Sequence, residues 1–479
     1  MRSPYFVLFL CSFVVNPVKG SDDASLAVVI LTQPSDWHEE NTQRLKLSLL
    51  ADIPGAMVFD TVNDFADVHG AWAVWPLLSK LYDHLGSSSS TVGWLFVCED
   101  GTAVKGKKLV EFLHKLDATK PVFAGHALRD SSATIIHHFA FIGEDVSKFA
   151  YPDFAGGVLL SWPLMERLVT KLREGRKPRD FAIDPKHELA MLIWDEGSGT
   201  AMMDVPEFCT TATGDWCITE FTNGDYQKCP HQGSDPITND DVVFAVKTFH
   251  EFHKTRVVVV KRTWGLDARN IEFFSDREDL YIPTITVDVE NTDRGHCGKT
   301  LEILKHFATN HASTKKWLVV ADDDSLLNVR RLLQLLSCYD HTQSLLVGER
   351  YGYGFDVEGR NGYGYPTGGS GMAFSKSAAL QLAEKCRCPS ADSPDDMILG
   401  VCAHNLNIHV IHSAALHQAR PYDYPSDYLN RTKPISFHKH WECDPYLVYS
   451  RWLVAEEKQQ PDGRSVKDQS HSHSHNSEL

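Results

Sequence analysis

The sequence predicts an α/β protein of two tandem domains built on one plan. Short apolar runs at residues 26–31, 257–260 and 317–320 are bounded by turn-formers and have the length of buried strands. Between them apolar residues recur at helical spacing, as in Leu326, Val329, Leu332, Leu333 and Leu336. Such alternation points to a largely parallel sheet covered by helices. The landmarks also occur twice in the same order. Trp94-Leu-Phe-Val-Cys-Glu-Asp-Gly101 overlies Trp317-Leu-Val-Val-Ala-Asp-Asp-Asp324, and each is followed by a leucine-rich segment. A hydrophobic stretch then opens on Gly125 or Gly348, 31 positions after its tryptophan in both copies. Tyr151-Pro-Asp-Phe-Ala-Gly-Gly157 faces Tyr365-Pro-Thr-Gly-Gly-Ser-Gly371 in the same way.

Residues 1–20 read as a cleavable signal peptide: Arg2, then 11 apolar-rich residues from Tyr5 to Val15, then a small-residue end at Gly20. A membrane span needs about 20 residues, so no transmembrane segment is expected in the mature chain. The first domain spans 21–238 and the second 239–456, with the boundary marked by Pro230, Gly233, Pro236 and the acidic pair Asp240-Asp241. Residues 457–479 form a polar tail, whose His471-Ser-His-Ser-His475 run is read as solvated rather than metal-binding. The chain ends Asn476-Ser477-Glu478-Leu479, which matches a retrieval signal in its last two residues and its position. Behind a signal peptide this implies a soluble protein of the endoplasmic reticulum lumen, with a retrieval receptor as a partner. Asn430-Arg431-Thr432 makes Asn430 the candidate N-glycosylation acceptor.

Lys and Arg number 47 against 63 Asp and Glu, a formal charge of −16. With no basic stripe to offset it, nucleic acid is excluded as a partner. Cys11 would leave with the signal peptide. The ten remaining cysteines favour disulfides over zinc, because paired short spacings are missing. Four precede residue 240 and six follow it, so each half is expected to close its own bridges.

Asp322-Asp323-Asp324 is expected to end a strand and open a helix. Three adjacent carboxylates repel one another, and a hard divalent cation explains all three better than a helix cap, which needs one. The first copy has Glu99-Asp100-Gly101 there, so the N-terminal domain reads as non-catalytic. Asp395-Asp396 follows Ser393-Pro394 at an expected helix start, and either carboxylate could serve as a base or only stabilise that terminus. Glycines 368, 369 and 371 would let the backbone approach a ligand closely.

Several motifs occur in a fixed order. Val243-Phe-Ala-Val-Lys-Thr248, Arg256, Thr263-Trp264 and Phe274-Ser-Asp276 come first. Trp317 with the three aspartates, Asn328 and Val329-Arg330 follows, then Tyr365-Pro-Thr-Gly-Gly-Ser-Gly-Met-Ala-Phe-Ser375 and Pro394-Asp-Asp-Met-Ile-Leu-Gly400. In this order the C-terminal half resembles the fringe-type β-1,3-glycosyltransferases. The resemblance implies two tandem GT-A-like nucleotide-sugar-binding domains, the first degenerate and the second catalytic. It implies Mn²⁺ held by Asp324 with Asp322 or Asp323, and a late histidine ligand, for which His438 is preferred over His417. Lys247, Thr248, Asp276, Asp323, Gly368 and Gly369 would line the donor. Asp396 would be the catalytic base, with Asp395 in reserve, and attack opposite the leaving nucleotide would invert the donor linkage.

The signal peptide, the duplicated half and the retrieval-like tail depart from most of that family. They resemble the branch of β-1,3-glucosyltransferases that extend O-linked fucose on thrombospondin type 1 repeats. That implies UDP-glucose as donor and O-fucosylated repeat proteins as acceptors. Two alternatives stay open: another UDP-sugar donor (N-acetylglucosamine or galactose), and a non-catalytic luminal lectin on the same fold. The N-terminal domain would either help to recognise the repeat or stabilise the enzyme.

Overall fold

The computed structural model describes residues 25–454 apart from 87–91, 212, 223–225, 227–228, 230–235, 290–291, 293–294 and 440–441. The signal peptide, the tail and Pro230 and Gly233 of the boundary lie outside the described residues. Two sheets organise the rest. The first runs in the order Met203–Asp204, Phe123–Gly125, Val158–Ser161, Trp94–Glu99, Leu26–Leu31, Met57–Asp60. The second runs His409–His412, Leu345–Gly348, Met372–Ser375, Trp317–Asp322, Val242–Lys247, Ile271–Ser275, Thr284–Thr286.

Apart from the extra edge strand Thr284–Thr286, the two sheets share one topology. In each, the third strand is antiparallel to both neighbours while the remaining pairs are parallel. Each central strand is buried on both faces, which is why Leu26–Leu31 and Val242–Lys247 read as continuous apolar runs. Each tryptophan-led strand also turns into a short strand, Thr102–Val104 or Ser325–Leu327. That strand pairs antiparallel with a late one, Thr219–Phe221 or Ser436–His438.

Three sequence expectations need correction. Residues 257–260 are helical, within Arg256–Arg262, not a strand. A short apolar run does not fix its own period; here Val257 and Val260, three apart, bury one helical face against the core. The aspartate triplet ends its strand as expected but opens a tight turn and the strand Ser325–Leu327, which carries Leu326. The helix starts at Val329, capped by Asn328, whose side chain accepts from the Arg331 N–H at 2.8 Å.

The disulfides are the third correction. Cys209–Cys217, Cys297–Cys388 and Cys386–Cys402 each close within one half, but Cys229–Cys338 joins the two. Cys98 and Cys443 carry no bridge, and Cys98 is sealed in the first core. Other contacts fuse the halves. The strand Phe181–Ala182 pairs with Arg350–Tyr353, Gln33 bonds the backbone of His412, and Arg431 makes a buried two-pronged contact with Asp153 at 3.0 and 3.2 Å. Leaving Asp153 without that partner would strand a buried charge, at a cost of about 3–5 kcal/mol.

Candidate active site

The strand Trp317–Asp322 is zipped between Val242–Lys247 and Met372–Ser375, so its C-terminal end is fixed from both sides. This is the edge at which open α/β sheets present ligand-binding residues. Asp322 lies beside Lys247 in register, and the Lys247 ammonium reaches Asp322 at 2.9 Å and Asp395 at 2.6 Å. Burial disfavours the charged lysine, but the two carboxylates outweigh it and hold Lys247 protonated. Asp323 turns inward, accepts from the Thr248 hydroxyl at 2.7 Å and faces Arg256 at 3.3 Å. Burial pushes its carboxyl up to about 6 despite the Thr248 bond.

Asp324 adjoins the same guanidinium. Its carboxylate meets His438 Nε2 at 3.0 Å and Arg256 at 2.9 Å, while Asp322 lies 3.7 Å from the same His438 nitrogen. The Gln418 carbonyl, 3.0 Å from His438 Nδ1, can only accept a hydrogen bond. The Nδ1 proton is therefore committed there and Nε2 faces the two aspartates. Burial alone would lower the His438 pKa, but Asp324 and Asp322 raise it. Asp322, Asp324 and His438 offer ligand atoms all within 4.8 Å of one another. Two carboxylates and an imidazole suit a divalent cation of the manganese class, and the aimed Nε2 makes the arrangement fit one. A Cβ on Gly369 would overlap the His438 ring, so the glycine-rich loop is bare where it passes the cluster. Ser325 Oγ donates to the Gly369 carbonyl at 2.7 Å and fixes the loop against the aspartate turn.

The helix Asp395–Leu406 brings in the other pair of carboxylates. Asp395 is buried, and burial opposes its ionisation. Lys247 and the Thr300 hydroxyl, at 2.6 Å each, prevail and bring it down to about 2. Asp396 is half-buried. Burial and the charge of Asp395 push it up to about 6, against the Met397 and Gly368 N–H groups at 2.7 and 3.4 Å. The adjacent aspartates are thus split by environment into a fixed anion and a carboxylate able to take up a proton near neutral pH.

Not every residue singled out from sequence joins this group. Asp276 directly follows the strand Ile271–Ser275 but is held by the His250 backbone and ring at 2.9 and 2.7 Å and by Ser275. His417 is a core residue: its ring stacks on Phe437, and burial lowers its pKa to about 3. Asn430 is exposed on the helix Ser426–Thr432. Sequence reasoning missed Thr300, Gln418 and the ion-pairing role of Arg256. Thr300 carried one signal, its place in the first turn of the helix Cys297–Asn310. Gln418 acts through its backbone and carried none.

Residues 237–459 match the Fringe-like family model. The chain is 44% identical over 441 residues to a Homo sapiens β-1,3-glucosyltransferase, covering 90% of this chain and 86% of that protein. It is 42% identical over 456 residues to a Mus musculus β-1,3-glucosyltransferase, covering 93% and 90%. A Gallus gallus β-1,3-N-acetylglucosaminyltransferase, lunatic fringe, is 30% identical over 214 residues, covering 39% of this chain and 59% of that protein. Among the described residues no helix is long and apolar enough to cross a membrane. The chain belongs to the fringe-like β-1,3-glycosyltransferases, and its place beside curated β-1,3-glucosyltransferases over nine-tenths of its length makes it a glycosyltransferase.

Proposed function

We propose that the chain transfers glucose from UDP-glucose, with inversion, to the 3-hydroxyl of O-linked fucose on thrombospondin type 1 repeats. Glucose is supported by the two relatives named β-1,3-glucosyltransferase. The fucosylated acceptor rests on the sequence resemblance to the branch with a signal peptide, a duplicated half and a retrieval-like tail. On this reading the protein has two tandem GT-A-like domains, 21–238 degenerate and 239–456 catalytic, and resides in the endoplasmic reticulum lumen. Asn430 carries an N-glycan.

The observation that carries the chemistry is the split between Asp395 and Asp396 beside the Asp322, Asp324 and His438 cluster. Asp322, Asp324 and His438 would hold Mn²⁺, which supplies Lewis-acid neutralisation of a leaving diphosphate when bound. Lys247 anchors Asp322 and Asp395 in register. Thr248 and Arg256 fix Asp323 and Asp324, and Gly368 and Gly369 leave room for a sugar beside the cluster. Asp276, just past the strand Ile271–Ser275, would lie on the donor side with Lys247, Thr248 and Asp323. Asp396 removes the acceptor hydroxyl proton as that oxygen attacks, because a carboxylate with a raised pKa takes up a proton without first paying a large desolvation cost.

The test is single-turnover transfer by the full chain with Mn²⁺, a panel of UDP-sugars and a folded O-fucosylated repeat. Glucose transfer that is abolished by chelation supports the reading. Transfer from N-acetylglucosamine or galactose alone would replace the donor. Repeat binding with no turnover from any donor would leave a sugar-binding protein.

A further inference from the structure

A cavity of about 380 Å³ lies between the two halves, of a size that takes small ligands. Part of its lining is the N-terminal counterpart of the candidate active site. Leu31, Thr32, Glu99, Asp100, Phe154 and Phe221 all line it. Leu31 pairs with Glu99 as Lys247 pairs with Asp322, and Phe221 pairs with Thr102 as His438 pairs with Ser325. Thr32 donates to Asp100 at 2.8 Å as Thr248 donates to Asp323 at 2.7 Å. Thr102 donates to the Ala155 carbonyl at 3.0 Å as Ser325 donates to that of Gly369 at 2.7 Å. The scaffold of the ligand cleft is therefore intact, while its cation chemistry is gone. Leu31, Gly101 and Phe221 stand where Lys247, Asp324 and His438 hold or form the metal cluster.

What remains has a different character. Among the described residues, the Glu99 carboxylate accepts no hydrogen bond and has no ion-pair partner, and burial pushes it up to about 7. Across the cavity, Arg350 comes from the C-terminal half. Its guanidinium lies over the Trp72 ring at 4.4 Å and donates to the Val410 carbonyl, and its Nε is buried without a partner. No carboxylate pairs with Arg350 among the described residues. An unbonded carboxyl and an unpaired guanidinium in one aromatic-lined cavity call for groups that both donate and accept, which hydroxyls do. Lys186 and Arg431 also line the cavity, but each is already paired with a carboxylate, Asp184 at 2.9 Å and Asp153 at 3.0 Å, so a diphosphate would find only Arg350 among these three cations without a carboxylate partner.

We propose that this inter-domain cavity is a second, metal-independent binding site for an uncharged sugar of mono- or disaccharide size. The sugar can come from another molecule or from the chain's own N-glycan, because Asn430, exposed, also lines the cavity. The site does not depend on the donor or acceptor assigned above.

The experiment is ligand-observed NMR and calorimetry on the full chain in EDTA, which silences the metal cluster. The probes are the methyl glycosides of glucose and fucose, the glucosyl-β-1,3-fucose disaccharide and UDP-glucose. Saturable binding of an uncharged probe is expected, unchanged by Asp324→Ala and weakened at least tenfold by Arg350→Met or Glu99→Gln. Thr211→Trp, at an exposed rim position where folding is not at risk, should block it equally. Binding seen only in Asn430→Gln also supports the site and names the chain's own glycan as its occupant. The proposal is overturned if no uncharged probe binds either form. It is overturned equally if binding survives Arg350→Met and Thr211→Trp, or if UDP-glucose alone binds and Arg350→Met removes it.

Discussion

The two sheet ends of this protein make a controlled comparison. Both present a hydroxyl–aspartate pair, Thr32 with Asp100 and Thr248 with Asp323, on strands of matching order and direction. Both pin a glycine-containing loop to the following short strand through a hydroxyl–carbonyl bond. They differ in the groups that gather charge. The C-terminal end has Lys247, Asp324 and His438 where the N-terminal end has Leu31, Gly101 and Phe221. The shared parts are what the fold needs to close the turn, and the differing parts are what a cation would need. Structural and chemical roles can thus be separated residue by residue, although they sit side by side in the chain.

The largest effect should come from the unshared residues. Asp324→Ala removes a proposed metal ligand and leaves Arg256 without one of its carboxylates. Single-turnover transfer is expected to fall at least ~10³-fold, about 4 kcal/mol of transition-state stabilisation. Gly101→Ala, its N-terminal counterpart, should leave the rate unchanged, and a loss there would break the comparison.

Next in size is Asp396→Asn, expected to cost roughly 10²–10⁴ in rate, the usual range for a positioned base. If Asp396 is the base, the same residue is expected to set the acid limb of the wild-type profile. The base works ionised and its pKa is raised to about 6, so the rate should fall as pH drops through about 6. A limb near 4, the ordinary carboxylate range, would show that burial and Asp395 do not govern it.

Gly369→Ala should be smaller and more specific. The added methyl overlaps the His438 ring, so Mn²⁺ affinity, measured by electron paramagnetic resonance, should weaken about 10–100-fold as the imidazole is turned away. Ala155 occupies the matching place in the first half, where Phe221 stands in the position of His438. Affinity unchanged by Gly369→Ala would show that His438 does not bind the ion.

The smallest expected effect tests the shared parts. Thr32→Val and Thr248→Val each delete one buried hydrogen bond to an aspartate, and each should lower stability by about 1 kcal/mol in urea titration. Only Thr248→Val should also slow transfer, by a few-fold, because only Asp323 adjoins the cluster.

Much of this was legible in the sequence where function and local pattern coincide. The strand before Asp322 announced itself through a continuous apolar run, and the duplication through two tryptophans spaced alike from their glycines. The helix Asp395–Leu406 carried a proline before its acidic first turn. Other features were hidden for physical reasons. Residues 257–260 look like a strand because β-branched side chains suit one, yet two of the valines are drawn into the core at helical spacing. Separating Asp395 from Asp396 needed Lys247 and Thr300, which lie 148 and 95 positions away in the chain. The orientation of His438 depends on a backbone carbonyl, a group every residue carries and no side-chain pattern reveals.

The bridge between Cys229 and Cys338 sets an order of events during synthesis. Cys209 and Cys217 can join almost at once, since 8 positions separate them. Cys229 must wait for 109 more residues, roughly 5–20 s at ribosomal speed, before its partner exists. For that interval the first half can fold and close its own bridge with the Cys229 thiol still free at its trailing edge. The covalent joint between the halves is therefore made late, when the helix before Cys338 is complete. A ribosome stalled between those two cysteines would leave a thiol open to capture by any oxidant or neighbouring chain at hand.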